Sequence, residues 1–163
     1  MPVSDARWAA FRILGQVERR AAFASDLLHS PLTARLDPRD AALAEQLVLG
    51  VLRRQAELDA ALCQLSSRPP QKLDPEVRLA LRLGLYQIRH LDRIPRSAAV
   101  AQSVELVKRA RKTSAASLVN AVLRKAASQP LPPLPRPDLA VPSWLLERWR
   151  RHYGPRADAL ALA

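Results

Sequence analysis

Cysteine, glycine and histidine are scarce in this chain, and each shortage closes off a class of chemistry. A single cysteine, Cys63, stands in 163 residues. No internal disulfide framework can form, and with only His29, His90 and His152 dispersed along the chain no common structural zinc spacing exists. The four glycines, Gly15, Gly50, Gly84 and Gly154, are all far apart. A phosphate cradle needs clustered glycines, because backbone N–H groups must approach the anion with no Cβ in the way. P-loop and GxGxxG turns are therefore absent. Aromatic residues make up 4% of the chain, too few to favour a base-stacking platform. Every apolar run is broken by charge well short of the roughly 20 residues that span a bilayer. The opening MPVSDARWAAFRIL has no basic segment followed by a long apolar run, so it does not read as a secretory signal. These features predict a cytoplasmic protein in a reducing setting, away from membranes.

Positive charge and proline are abundant. Lys and Arg number 26 against 15 Asp and Glu, a net charge of +11, and there are 14 prolines. With 48% hydrophobic residues the chain has ample material for a packed core and is not of the disordered class. Apolar spacing is helical nearly throughout and Ala, Leu, Arg and Glu dominate, which predicts an all-α fold.

Six segments carry helix-start signals. Ser4 precedes a stripe of Ala10, Ile13, Leu14 and Val17, and Ser25 precedes Leu27 and Leu28. Asp37-Pro38 and Asp74-Pro75-Glu76 combine a capping carboxylate with proline at the first helical position. Ser97 and Ser114 are read as the caps of the last two. The third helix is expected to run through Leu43, Leu47 and Val51 and, after a bend near Gln55, on through Leu58, Leu62 and Leu65. Trp8, Phe11, Phe23 and Cys63 are expected in the core. Six prolines between Pro130 and Pro142 remove N–H donors and predict a stiff, extended linker. Beyond it Ser143 opens a short helix, and ADALALA reads as the first turns of another. The expected organisation is a bundle of about six helices over 1–128, a linker over 129–142, and over 143–163 the start of a segment that continues in a longer protein.

The helix after Asp74 carries the sharpest pattern. At 100° per residue, Val77, Leu81, Leu85 and Ile88 fall on one side and Leu79, Leu83 and Tyr86 on another, as expected for a central helix. Between them Arg78, Arg82, Arg89 and Arg93 fall within about 60°. Such a ridge either sends its guanidinium heads to water and to neighbouring carboxylates or tracks phosphates. A second basic cluster is Lys108, Arg109, Arg111 and Lys112. Further pairs occur at Arg19-Arg20, Arg53-Arg54, Arg124-Lys125 and Arg150-Arg151. A chain this basic suits a polyanion, RNA above all. No nucleophile has a positioned base, and Asp37, Asp40, Asp74 and Glu76 are accounted for as caps and first-turn charges. Neither a catalytic constellation nor a metal site is expected.

The runs EQLVLGVLRRQAELDAAL (45–62), LALRLGLYQIRHLDRIPRSAAVAQSVELVKRA (79–110) and LVNAVLRK (118–125) resemble the NusB-like domain. The resemblance is to the form found at the N-terminus of bacterial 16S rRNA (cytosine-5) methyltransferases of the RsmB (Sun) type. GLYQI, RIPRSAAV and VNAVLR are its most specific pieces, and VPSWLLERWRRHYG (141–154) resembles the segment that leads to the catalytic part. The resemblance implies an all-α, RNA-binding accessory domain that holds ribosomal RNA; the charge pattern, not the resemblance, offers Arg78, Arg82, Arg89, Arg93, Lys108, Arg109, Arg111 and Lys112 as its phosphate contacts. It implies S-adenosylmethionine as the cofactor of the parent protein and none in this chain, whose sequence has neither of the family's two cysteine motifs. It also implies that Trp144 and Trp149 meet the catalytic domain. The alternative within the resemblance is a stand-alone antitermination factor. Such factors begin with a compact arginine-rich signature, where this chain offers Arg7 and Arg12 before Arg19-Arg20, and they end near the sixth helix.

Overall fold

The computed structural model describes residues 2–129 and 141–162. The prolines from Pro130 to Pro137 lie outside the described residues. Nine α-helices and two short 3-10 turns are found among those described, and no strand. They are α1 (Asp5–Arg20), α2 (Ala24–Leu28), α3 (Pro38–Arg53), α4 (Gln55–Leu65), α5 (Pro75–His90), α6 (Arg96–Arg109), α7 (Ala116–Ser128), α8 (Ser143–Tyr153) and α9 (Arg156–Leu162).

Two starts follow the expected capping chemistry. Ser4 Oγ accepts from the Arg7 N–H, and Asp37 Oδ1 accepts from the Asp40 N–H at 2.8 Å with Pro38 in the first turn. The other start signals fail locally. Phe23 precedes α2 and Pro95 precedes α6, neither giving a side-chain cap, and Ser114 sits in the 3-10 turn before α7. Asp74 precedes Pro75 as expected, but its carboxylate accepts from Lys112 Nζ at 3.0 Å instead of capping α5. The expected bend near Gln55 is a break at Arg54 (φ −110°, ψ 17°), so one anticipated helix is two.

α5 is the axis of the bundle. From Val77 to Gln87 every residue is buried, Arg82 included, with the sole exception of Arg78. α1, α3, α4, α6 and α7 all pack against it. A helix with apolar residues on both sides needs neighbours on both sides, and two glycines admit them closely. Gly50 of α3 lies against the Tyr86 ring, and Gly84 of α5 against Leu123 and Ser103. The α4 face toward α5 is Leu58, Ala61, Leu62 and Leu65. Cys63 is 100° away from Leu62 and is exposed, which corrects its expected place in the core. Phe11 is buried and Trp8 half-buried, but Phe23 is 75% exposed. It lies past the end of α1, after the chain has turned through the left-handed Ala21 (φ 47°). α8 and α9 pack chiefly on each other, burying Leu146 and Ala157.

Candidate nucleic-acid interface

α5 does bring Arg78, Arg82 and Arg89 to one side, but that side faces carboxylates rather than solvent. Arg82 is 5% exposed and grips Asp59 of α4 with a fork, Nε to Oδ1 and Nη2 to Oδ2, both at 2.7 Å. Arg78 pairs through Nη2 with Glu18 of α1. Arg89 Nε lies 3.2 Å from Glu57 of α4. Arg93 is beyond the end of α5, exposed in the turn before α6. The anticipated phosphate ridge is thus not a surface. Arg78, Arg82 and Arg89 lie where α1 and α4 close on the central helix, and acidic residues of those helices pair with them.

Glu57 is the focus of this belt. It accepts from Arg54 Nη1 at 3.0 Å and lies 3.2 Å from both Arg89 Nε and His90 Nε2. The His90 hydrogen bond foremost, with Arg54 and Arg89, holds its carboxyl down at about 2, against an ordinary 4.5, despite a burial penalty in the other direction. The folded state therefore favours the carboxylate form. Its contribution to stability is complete above pH 4.5 and is lost as pH falls toward 2. Urea midpoints measured from pH 5 to pH 2 should fall steeply, and Glu57→Gln should flatten that acid limb. An equally steep limb in the variant would assign acid sensitivity to other groups.

The second basic cluster is dispersed in a different way. Lys108 Nζ is 2.8 Å from Glu105 and Lys112 Nζ is 3.0 Å from Asp74. The hydrogen bond to Asp74 also raises the Lys112 ammonium above its usual range. Arg111 is exposed and takes a left-handed backbone (φ 60°) where the chain leaves α6. Arg109 lies over the indole of Trp8, its Cζ 4.3 Å from the ring centroid. Trp8 in turn stacks on the buried Phe11, with centroids 5.6 Å apart.

This indole is the centre of a basic surface that reading by helix alone does not assemble. A groove of about 340 Å³ on one side of it is lined by Asp5, Arg12, Arg35 and Arg109. Another of about 360 Å³ is lined by Arg12, Gln16, Arg19, Arg20 and Glu76. Among the described residues only Arg19 of these arginines meets a carboxylate within 4.0 Å, Glu76 at 3.3 Å. Arg12, Arg20, Arg35 and Arg109 form no ion pair there. Half of the signal is in the sequence: Trp8, Arg12, Gln16 and Arg19 follow a helical stripe along α1. Arg35 comes from the α2–α3 connection and Arg109 from the end of α6, and only the fold joins them to it. Arg7 shows the opposite behaviour. It points inward, donating from Nε to Gln87 Oε1 at 2.7 Å and from Nη1 to Ser4 Oγ at 3.0 Å, and burial lowers its pKa.

Among the described residues no group of His, Cys, Asp and Glu could hold a metal ion, and no helix is long and apolar enough to cross a membrane.

The sequence profile of the NusB family matches residues 4–128. A probable ribosomal RNA small subunit methyltransferase B of Synechocystis is 35% identical over 160 residues, covering 92% of this chain and 36% of the relative. The ribosomal RNA small subunit methyltransferase B of Xanthomonas campestris is 36% identical over 154 residues, covering 94% of this chain and 35% of the relative. The chain therefore spans about a third of the length of these curated relatives. Among solved structures, the antitermination factors NusB and NusE in complex with dsRNA include a chain that superposes with a TM-score of 0.68. That chain is 24% identical, and the match covers 76% of this chain and 94% of that one.

Proposed function

The chain belongs to the NusB family, and from that premise we propose that it is the RNA-holding domain of a small-subunit ribosomal RNA methyltransferase. In this reading it grips 16S rRNA by its phosphates while a catalytic part of the parent protein, outside this chain, methylates C5 of a cytosine. Two relatives named as ribosomal RNA small subunit methyltransferase B are aligned over more than nine-tenths of it. A solved complex of the same fold contains dsRNA.

The observation that carries the reading is the set of guanidinium groups without ion pairs around Trp8: Arg12, Arg20, Arg35 and Arg109. They replace the ridge of α5 as the principal phosphate contacts, with Arg19 and Arg111 beside them. Lys108 and Lys112 stand at the margin, each shared with a carboxylate. Phosphate contact of this kind positions an RNA without reading its bases.

S-adenosylmethionine does not fit this chain. Its glycines are dispersed, and Gly50 and Gly84 are closed by side chains, so no clustered glycines offer a backbone cradle to a nucleoside cofactor. The cofactor belongs to the remainder of the parent, in the cytoplasm with its substrate. Trp144, 63% exposed on α8, is the residue that would meet that remainder. Trp149 is half-buried and has less to offer.

The test is salt dependence. Affinity of the chain for a 16S rRNA fragment that contains a bulged helix, measured by fluorescence anisotropy between 50 and 250 mM KCl, should fall linearly on a log–log plot. Each phosphate contact contributes about −0.9 to the slope, so the four principal contacts account for about −3.6 of it. Replacing Arg12, Arg20, Arg35 and Arg109 by Gln should make the slope shallower by about 3.6, leaving only the share of Arg19, Arg111 and the two lysines. A flat response, or no binding at low salt, would overturn the RNA reading.

A further inference from the structure

The groove between α1, the α2–α3 connection and the end of α6 is shaped for something narrower than a duplex rail. A double helix presents its phosphates evenly on a convex surface. This groove is concave, and its volume of about 340 Å³ equals that of about eleven water molecules, enough for one phosphate and its attached sugar. Three arginines, Arg12, Arg35 and Arg109, line it, and Leu32 and Leu36 form part of its wall. Positive groups in a cleft with low-dielectric walls concentrate their field on whatever anion enters.

Arg109 is prepared for that role. Its guanidinium lies over the Trp8 ring at 4.3 Å, and the ring is fixed in turn by stacking on buried Phe11. A cation–π contact occupies the face of the guanidinium and leaves its N–H edges available. Those edges can give a phosphate two parallel hydrogen bonds, and little side-chain freedom remains to be lost on binding. Lysine could supply the charge at this position but neither the fork nor the flat stacking. Asp5 also lines the groove and leaves it with a net charge of +2 at neutral pH.

We propose that this groove is a receptor for a single RNA phosphate presented away from the helical rail, at a bulge, a sharp backbone turn or a strand end, with Arg109 as the fork that binds it. The proposal rests on the RNA-holding reading and specifies what that surface selects. It makes Arg109 a determinant of which RNA shape is held, distinct from Arg19 and Arg20, which can serve any phosphate passing along α1.

The experiment compares Arg109→Lys and Arg35→Lys with the wild-type chain on two probes of equal length and charge, a fully paired RNA duplex and a hairpin with a bulge. Both variants keep the net charge, so the salt slope should not change. Affinity for the bulged hairpin should fall roughly tenfold for Arg109→Lys, the loss of one charge-assisted hydrogen bond, while affinity for the duplex changes less than twofold. Each probe is run with a 5′-phosphate and with a 5′-hydroxyl. An effect confined to the phosphorylated strand assigns the groove to a terminal phosphate, and an effect on both assigns it to an internal one. Equal affinity of wild type and Arg109→Lys for the bulged hairpin, or equal losses on both probes, overturns the receptor and leaves the RNA-holding reading intact. If the wild-type chain binds neither probe at low salt, both are overturned.

Discussion

Replacing Asp59 with alanine should destabilise the fold by about 3–5 kcal/mol, the cost of leaving one member of a buried ion pair without its partner. The melting temperature should fall on the order of 10–15 °C for a domain of this size. The argument is geometric. The Arg82 side chain is 6% exposed and Asp59 takes both arms of its fork at 2.7 Å. Without Asp59 a full positive charge remains on the central helix among Leu79, Leu81, Leu83 and Leu85, all of them buried. No second carboxylate lies within 4.0 Å of it among the described residues. Paired with Arg82→Met the same change should be much milder, because a neutral side chain of similar length fills the space and no charge is stranded. The double variant also decides the role of Arg82. If it folds and binds RNA as the wild type does, Arg82 holds α4 to α5 and does not touch phosphate. A tenfold loss of RNA affinity in the folded double variant would return it to the binding surface.

Arg82 also shows where sequence and structure part. The period of α5 correctly gives a central helix, since Val77, Leu81 and Leu85 on one side and Leu79 and Leu83 on the other are buried as their spacing requires. The same period places Arg78, Arg82 and Arg89 on one stripe. A stripe says that side chains share a side, not whether that side meets water. The deciding residues are Glu18, Glu57 and Asp59, which belong to α1 and α4 and approach only when the bundle closes. Helix ends were hard to read for a local reason. α1 and α6 both lead into left-handed residues, where glycine is the usual signal, but here the residues are Ala21 and Arg111. The Trp8 surface was legible along α1 and invisible across it, since Arg35 and Arg109 are distant in sequence and converge only in the fold. Cys63 is a different case. The spacing of Leu58, Ala61, Leu62 and Leu65 puts it on the outer side of α4, although its sequence neighbours are apolar.

The glycines carry the other large effect. Scattered as they are, they exclude a nucleotide cradle, yet Gly50 and Gly84 set how closely α3 and α7 approach α5. A Cβ on Gly50 would lie 2.0 Å from Cζ and 2.1 Å from the hydroxyl of Tyr86, a ring that is 7% exposed and flanked by His90 with centroids 5.3 Å apart. Either the ring leaves its site or α3 moves away, and overpacking of this kind costs about 1–3 kcal/mol or more. Helix propensity returns only about 1 kcal/mol. Gly50→Ala should therefore lower the urea midpoint clearly, and combination with Tyr86→Leu should restore much of the loss. Gly84→Ala meets the ends of Leu123 and Ser103 at 2.4 and 2.5 Å, contacts less close than those at Gly50 but with fully buried side chains, and should destabilise by a smaller amount. Gly15→Ala meets only the tip of Arg19 at 3.0 Å and should be neutral or stabilising. That order, Gly50 worst and Gly15 best, ties each glycine to the neighbour it admits, and an order set by helix propensity alone would refute it. The consequence reaches beyond packing. α3 is joined to α4 through the single residue Arg54, so a displaced α3 shifts the helix that carries Glu57 and Asp59. The Gly50→Ala chain should then also lose part of the acid-sensitive stability that Glu57 confers, although Gly50 carries no charge.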